Sequence, residues 1–144
     1  MALHIADYKV IRYEDGRWAD FRLPDDERRD TWEAFLFAMP SHAVVAETAV
    51  LSYMLDPVPF GGEVDIEYDI RINDERIARH RIESTMLRSL TALVKGDLLL
   101  AQPAIEDPPP NNRIEFRMIQ RRSNGGYLRV FNAVLWFQRS VAAP

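Results

Sequence analysis

The stretch RIEFRMIQRRSNGGYLRVFNAVLWFQRS, residues 113–140, carries the clearest strand signals in the chain. Its first part alternates between apolar and mostly charged side chains, and the Asn-Gly-Gly sequence at 124–126 supplies the positive φ angles that a tight or bulged hairpin requires. Its second part, residues 127–139, is apolar on both faces, which is typical of a central strand that is covered on both sides. We therefore expect a closing hairpin that acts as scaffold, with Trp136 and Phe137 both buried. One row of the last strand is wholly apolar and consists of Phe131, Ala133, Leu135 and Phe137.

A second pair of strands is predicted upstream, in EVDIEYDIRI, residues 63–72. Charged and apolar residues alternate there without a break, and this period of two marks a strand with one buried and one solvated face. The turn formers Asn, Asp and Glu follow at 73–75, and residues 76–83 return as another strand. We expect a β-hairpin whose buried row is formed by Val64, Ile66, Tyr68, Ile70 and Ile72.

The rest of the chain adds further short strands and one long loop. Strand-like patterns occur at 4–15, 31–40 and 43–58. Residues 84–101 are ambiguous, because their first part also fits a short helix. Residues 102–112 are expected to form a loop, since consecutive prolines cannot join a sheet ladder. About eight short strands with little helix indicate a β-sandwich or barrel.

The order of these segments resembles the galactose-binding-domain-like jelly rolls that occur in many carbohydrate-binding modules. The resemblance covers roughly residues 43–139 and is carried by IRIND (70–74), SLTALVKGDLL (89–99), NNRIEF (111–116) and LRVFNAVLWFQR (128–139). One departure is the longer lead-in to the NRIEF strand, IEDPPPNN. The resemblance implies an all-β fold: a single-domain antiparallel β-sandwich (jelly roll) of about eight strands over residues 1–144. It also implies carbohydrate as the class of ligand.

Composition narrows the functional classes. The chain of 144 residues contains no cysteine, which excludes disulfides and thiolate metal sites, and its net charge of −4 argues against a general nucleic-acid binder. No apolar run approaches the ~20 residues of a membrane span, and residues 1–12 lack the pattern of a signal peptide. We expect no membrane partner, and a location that is cytoplasmic by default or outside the cell as part of an exported particle.

Charge is divided unevenly along the chain. Residues 1–70 hold 15 acidic and 6 basic residues, whereas residues 71–144 hold 7 acidic and 12 basic residues. We expect the two halves to interleave as neighbouring strands and to pair their charges. A basic binding surface built from the second half is the alternative.

The sequence does not predict catalysis. Its three histidines lack the spacing of metal ligands, and no G-x-S-x-G stretch supports a serine hydrolase. Glu67 and Asp69 share one strand face and could form the carboxylate pair of a glycosidase, but alternating charges on a strand more often form a solvated face. We expect no enzyme activity, no cofactor and no bound metal.

Strand direction predicts where a ligand binds. If successive strands reverse direction, one end of the sandwich gathers aromatic residues beside cationic and amide donors. Arginine suits carboxylates and phosphates, so an acidic glycan or similar anion is the expected ligand. The predicted ligand-binding residues at this end are Phe60, Arg88, Arg121, Arg122, Asn124 and Tyr127. The alternative is that these arginines only pair with the acidic first half, and the opposite end would hold residues 73–75 and the proline loop.

We therefore predict a non-catalytic binding module whose partner is a carbohydrate or another small anionic ligand. Aromatic faces also suit sugar rings, and of the three tryptophans only Trp18 is expected to be exposed, with Trp32 and Trp136 in the core. The main alternative is a structural subunit that self-associates through its sheet faces, and a homo-oligomer is left open. A small enzyme with a cavity at the barrel mouth is a third alternative.

Overall fold

The computed structural model describes residues 2–11, 20–22, 32–59, 65–121 and 126–142. Within these ranges the chain forms nine strands and one 3₁₀ turn (Gly96–Leu98). The strands are β1 (Ala2–Val10), β2 (Asp20–Arg22), β3 (Trp32–Phe37), β4 (Ala49–Pro59), β5 (Ile66–Ile72), β6 (Glu75–Ile82), β7 (Arg88–Val94), β8 (Asn112–Arg121) and β9 (Gly126–Ala142). The described residues include no helix that is long and apolar enough to span a membrane.

The strands form two antiparallel sheets. The five-stranded sheet has the order β1-β9-β4-β7, with β2 also pairing with β9, and the four-stranded sheet has the order β3-β8-β5-β6. Without β2, this is the strand arrangement of an eight-stranded jelly roll built from two packed sheets. The predicted all-β jelly-roll sandwich is confirmed.

The predicted closing hairpin is wrong, because β8 and β9 lie in different sheets. β8 pairs with β3 and β5, whereas β9 pairs with β4 on one side and with β1 and β2 on the other. Each of the two strands is flanked on both sides and has no free side on which to accept the other. Of the three residues of the Asn-Gly-Gly sequence, only Gly126 lies in the described part of the chain. The predicted central position of β9 is confirmed.

The predicted hairpin of β5 and β6 is confirmed. Its two turn residues, Asn73 and Asp74, have φ angles of 47° and 73°, and tight hairpin turns of this kind favour Asn and Asp at such positions. The inward row Ile66, Tyr68, Ile70 and Ile72 is fully buried, while Val64 lies outside the described residues.

The core fills the space between the two sheets. Tyr53 from β4 and Phe35 from β3 both contact the ring of Phe116 on β8, at centroid distances of 5.3 and 5.9 Å. The hydroxyls of Tyr53 and Tyr68 come from opposite sheets and share a hydrogen bond of 2.7 Å. Burial raises the pKa of Tyr53 to about 12, so both phenols stay neutral and satisfy one another within an apolar core.

Asparagine side chains join the β5–β6 turn to the residues on either side of the proline loop. Asn73 donates through Nδ2 to the carbonyl of Leu98 (2.6 Å) and to Oδ1 of Asn112 (2.9 Å). Asn112 in turn exchanges two hydrogen bonds with the backbone of Leu100, at 2.8 and 2.9 Å. Asn112 is buried, and these bonds supply the partners that a buried amide requires. Residues 102–111 form a loop, as predicted.

The segment before β7 is not helical. Residues 84–87 contain no helix, and β7 begins at Arg88. The register of β7 with β4 continues without a break from Arg88 opposite Leu55 to Val94 opposite Ala49. The helical alternative for the first part of residues 84–101 is therefore wrong, because the chain from Arg88 onward pairs with β4 as a strand.

A bulge in β9 changes which of its residues face the core. Ser52 pairs with Val134, but Met54 pairs with Phe131, so β9 contains one extra residue at this point. Asn132 has a φ angle of 50°, which accommodates the bulge. As a result Phe131, predicted to share a buried row with Ala133, lies on the outer face and is only partly buried.

Candidate functional site

An exposed aromatic pair lies on the outer face of the five-stranded sheet. Trp136 on β9 and Tyr8 on β1 are direct register partners, and their ring centroids are 5.5 Å apart. Trp136 is 48% exposed and Tyr8 is 58% exposed. The expectation that Trp136 belongs to the core is wrong, because only alternate residues of this part of β9 face the other sheet, and these are Ala133, Leu135 and Phe137.

The indole of Trp136 is fixed by a hydrogen bond. Its Nε1 donates to Oγ of Ser52 on β4 at 2.9 Å, and the Ser52 hydroxyl donates to the carbonyl of Val134 at 3.5 Å. The indole has one donor and no acceptor, so this bond satisfies its polar requirement. A ring whose orientation is already set loses little conformational entropy when a ligand packs on it.

The aromatic pair belongs to a row that crosses four strands. Val50 on β4 is the register partner of both Trp136 and Leu93, which places Leu93 on β7 at the end of the row. With neighbouring strands about 4.8 Å apart, the row spans about 14 Å. Leu93 is 67% exposed. We call these four residues, Tyr8, Trp136, Val50 and Leu93, the outer row.

The described side chains beside Tyr8, Trp136 and Val50 are uncharged, and Lys95 borders the outer row at Leu93. The register row on one side contains Val10, Val134, Ser52 and Thr91, and Ala6 and Gln138 lie on the other side. Charges on this face occur at its margins in the described strands: Asp56 and Arg129 are register partners near one end, and Lys95 follows the end of β7. The centre of the face therefore combines aromatic and aliphatic groups with neutral hydroxyl and amide groups.

Sequence patterns missed the outer row because β9 is apolar on both of its faces. The alternation in β4 does indicate its outer face, because Val50 lies an even number of residues from the polar Ser52 and Asp56 and so points to the same side of the strand. The sheet order is needed, however, to place Trp136 beside this face. Of the other tryptophans, Trp18 lies outside the described residues, and for Trp32 the structure describes the backbone position in β3.

The strand ends that carry the predicted ligand site are neighbours within each sheet. β7 and β9 begin beside the end of β4, and β8 ends beside the start of β5, as strand direction predicted. Arg88, Arg121 and Tyr127 occupy these ends, and for the last two the structure describes the backbone position. Phe60, Arg122 and Asn124 lie outside the described residues. Ligand binding at this end stays a prediction.

The Arg88 side chain turns toward the loop that precedes it. Its Nη2 donates to Oγ of Ser84 and to the Ser84 carbonyl (3.4 Å), and its Nε donates to the carbonyl of Met86 (3.3 Å). Burial raises the pKa of Tyr68 far above its ordinary value, and the nearby charge of Arg88 opposes that rise. Arg88 therefore already has a structural role, which leaves only part of its guanidinium for a ligand.

The outer face of the four-stranded sheet carries ion pairs instead of aromatic rings. Asp69 lies between its register partners Arg117 and Arg79. Arg79 donates through Nε to Oδ1 at 2.7 Å and through Nη2 to Oδ2 at 3.0 Å. Asp69 is only 2% exposed, so the expected solvated carboxylate is wrong, because long arginine side chains cover it.

This environment does not suit Asp69 to acid catalysis. The Arg79 hydrogen bonds lower the pKa of the Asp69 carboxyl, whereas the acid of a glycosidase needs a raised pKa. Glu67 also contacts the same guanidinium, at 3.5 Å from Arg79 Nε. The two carboxylates therefore act as partners of arginine.

Charge pairing between the two halves of the chain is confirmed in the described residues. Asp65 and Arg81 form a two-point pair at 2.9 and 3.0 Å, and Asp7 lies 3.2 Å from Arg139. In each pair, an acid from the first half meets a base from the second half. The Asp7–Arg139 pair arises because β1 lies beside β9, whereas the Asp65–Arg81 pair arises within the β5–β6 hairpin, which straddles the boundary between the two halves.

His80 faces the core from β6, an edge strand. Its ring centroid lies 5.5 Å from that of Tyr68, and its Nε2 is buried without a hydrogen-bond partner among the described residues. Burial lowers the pKa of His80, since protonation would place a charge beside the core. In the described ranges, no group of three or more histidine, aspartate or glutamate side chains could hold a metal ion.

Comparisons with known proteins concern the fold. No protein-family model matches the chain, and a comparison with curated proteins likewise gives no match. One similar solved structure is the C-terminal domain of EclA, a sugar-binding protein (9% identity, 94% of this chain and 79% of that chain, TM-score 0.47). Another is a family 35 carbohydrate binding module from an environmental isolate (14% identity, 94% and 88%, TM-score 0.44). A third is the CBM22-1 xylan-binding domain of Xyn10C from Paenibacillus barcinonensis (9% identity, 97% and 95%, TM-score 0.41). The solved structures to which the chain is similar thus include carbohydrate-binding modules, the class that its sequence resembles.

Proposed function

We propose that the protein is a non-catalytic module that binds carbohydrate, and that the outer row is its binding surface. The observation that supports this proposal is the exposed pair of Trp136 and Tyr8 on an uncharged face, with the indole already fixed by Ser52. Rings of this kind offer flat apolar surface to the apolar faces of sugar rings. The nearby hydroxyl of Thr91 and amide of Gln138 both donate and accept, as sugar hydroxyls require.

A glycan array of the wild type and Trp136→Ala tests this proposal. The expected result is that the wild type binds at least one class of glycan and that Trp136→Ala binds it at least tenfold more weakly, which corresponds to about 1.4 kcal/mol. Met86→Ala is the matched control, because it removes another exposed apolar side chain that lies away from the outer row. Equal binding by Trp136→Ala would overturn the proposed surface, and a wild type that binds no glycan would overturn the function.

A second location for the same function is the end predicted from strand direction. There an acidic glycan or another small anionic ligand would meet Phe60, Arg88, Arg121, Arg122, Asn124 and Tyr127. The support for this location is that β7 and β9 begin beside the end of β4 in one sheet, and that β8 ends beside the start of β5 in the other. Arg121→Glu combined with Arg122→Glu should then abolish binding of acidic glycans while leaving the melting temperature unchanged. Binding lost on changing Asn73, Asp74 or Asn111 instead would move the site to the opposite end.

Self-association through the sheet faces is the alternative function, and the exposed apolar outer row is the observation that favours it. Exposed apolar patches can mark protein interfaces as well as ligand sites. A mass measurement in solution separates the two, because the monomer has a mass of 16.7 kDa. A stable dimer that dissociates on Leu93→Asp, in a protein that binds no glycan, would support assembly.

A further inference from the structure

We infer that the outer row selects a neutral, extended glycan chain that crosses the strands, with successive sugar rings over successive strands. This inference rests on the proposed carbohydrate-binding function and adds the class and orientation of the ligand.

The direction follows from how the apolar surface is laid out. Across the strands, Tyr8, Trp136, Val50 and Leu93 are register partners without a gap. Along β9, by contrast, the outward side chains beside Trp136 are the partly buried Val134 and Phe131 and the polar Gln138, so Trp136 is the one exposed large apolar side chain among the described side chains of that strand. A chain laid across the sheet therefore meets three exposed large apolar side chains over about 14 Å, whereas a chain laid along the described part of β9 meets one.

The absence of charge beside Tyr8, Trp136 and Val50 in the described residues sets the class of ligand. A carboxylate that is desolvated against the Trp136 and Tyr8 rings would find hydroxyl and amide groups but no cation, and an unpaired buried charge is costly. The cationic residues of the described face are Lys95, which borders the row at its Leu93 end, and Arg129, which has Asp56 as its register partner. Charge complementarity therefore favours a neutral chain on the outer row.

Polar groups on both sides of the row complete the match. Ser52 and Thr91 lie in the register row on one side, and Gln138 lies on the other. A sugar ring stacked on an aromatic side chain turns its hydroxyls outward, toward both edges of the row. The Ser52 hydroxyl is already engaged by Trp136 and Val134, so Thr91 and Gln138 supply the donors and acceptors at the two edges. A second copy of the protein would also have to satisfy these groups in order to cover the same face.

The inference is tested with linear oligosaccharides of graded length and charge. Calorimetry on the full chain would use β-1,4-linked oligomers of glucose, xylose, mannose and galactose from one to six units, and galacturonic acid oligomers as the charged set. For at least one neutral series, affinity should rise with length up to about three or four units and then level off, because the row spans four strands. Charged oligomers should bind at least tenfold more weakly, and binding of the neutral series should be insensitive to salt.

Variants at the two ends of the row sharpen the test. Tyr8→Ser and Leu93→Ser should each lower the length at which affinity levels off while retaining binding of short oligomers, and Met86→Ala should change neither. Equal affinity for one unit and for six would overturn the extended chain but leave the proposed function standing. Equal or tighter binding of the charged set would overturn the neutral class. A wild type that binds no carbohydrate, but dimerises unless Trp136 is changed to Ala, would overturn the proposed function itself and identify a second copy as the occupant.

Discussion

The two sheets of the sandwich present opposite kinds of surface to solvent. On the four-stranded sheet, acidic side chains such as Asp69 are covered by arginine and are nearly inaccessible. On the five-stranded sheet, Tyr8, Trp136 and Leu93 remain exposed, and the charges of the described strands lie at the margin. A buried charge and an exposed group of large apolar side chains are both departures from the ordinary distribution of residues in a folded protein.

This difference between the two faces shows on which of them the polar side chains already bind to other side chains of the same protein. The carboxylates of the charged face already have partners at hydrogen-bond distance, as in the pair of Asp69 and Arg79. Within the described part of the chain, the rings of the outer row contact each other and make one hydrogen bond, from Trp136 to Ser52. We therefore assign a structural role to the charged face and binding to the outer row, and the following changes test that assignment.

The largest loss of stability is expected from Phe137→Ala. Phe137 is next to Trp136 on β9 but points into the core, where it is 5% exposed. Truncating a buried phenylalanine typically costs about 3–5 kcal/mol, because contacts are lost and a cavity remains. Chemical denaturation should show this loss in the free energy of unfolding. A loss below about 1 kcal/mol would mean that the two faces of β9 are not assigned correctly.

A smaller loss is expected from Asp69→Asn on the charged face. The change removes the charge that the Arg79 guanidinium grips at two points, and the expected cost in the free energy of unfolding is about 1–3 kcal/mol. Asp65→Asn is the matched control, since its partner Arg81 is more exposed and pairs of that kind contribute less than about 1 kcal/mol. Equal effects of the two changes in urea denaturation would count against a special role for the buried pair.

The pair of Asp69 and Arg79 also predicts a dependence on acid. Because its hydrogen bonds to Arg79 lower the pKa of Asp69, the stabilisation is fully present above the ordinary carboxyl pKa of about 3.9. It is lost as the pH falls below that value toward the pKa of the folded state. The melting temperature of the wild type should therefore fall more steeply than that of Asp69→Asn in this range. Parallel curves would show that the pair is not responsible.

A pH effect of smaller size is expected at His80, at the edge of the core. Burial lowers its pKa below the value of about 6.5 that an unfolded chain has. The unfolded state then binds more protons, so the stabilisation is complete above about pH 6.5 and is lost as the pH falls below it. Between pH 7 and pH 5, the wild type should therefore lose more in melting temperature than His80→Gln. His4→Gln, in the exposed strand β1, is the control, and an identical slope for wild type and His80→Gln would contradict the expectation.

Local patterns predicted much of the fold. Strict alternation placed Ile66, Tyr68, Ile70 and Ile72 on one buried row, and the Asn-Asp turn defined the hairpin of β5 and β6. Consecutive prolines marked the loop before β8. These features depend on neighbours in the sequence, so the sequence is sufficient to predict them.

Features that depend on distant strands were not predicted. The Asn-Gly-Gly turn suggested that β8 and β9 pair, but each is flanked by strands from elsewhere in the chain. The exposure of Trp136 depends on the order of the sheet, and the bulge near Asn132 shifts the parity of β9 so that Phe131 faces outward. Alternation correctly placed Asp69 on the outer face of its sheet. Its burial was not predicted, because it results from the Arg79 side chain on the neighbouring strand.

The central claim, that the outer row binds ligand and does not support the fold, is tested most directly by Trp136→Ala measured beside Phe137→Ala. We predict that Trp136→Ala folds, loses no more than about 1–2 kcal/mol in the free energy of unfolding, and binds glycan at least tenfold more weakly. Phe137→Ala should instead affect mainly stability, with a loss of about 3–5 kcal/mol in the free energy of unfolding. A Trp136→Ala protein that is insoluble or unfolded, or one that is stable and binds glycan as well as the wild type does, would contradict the account.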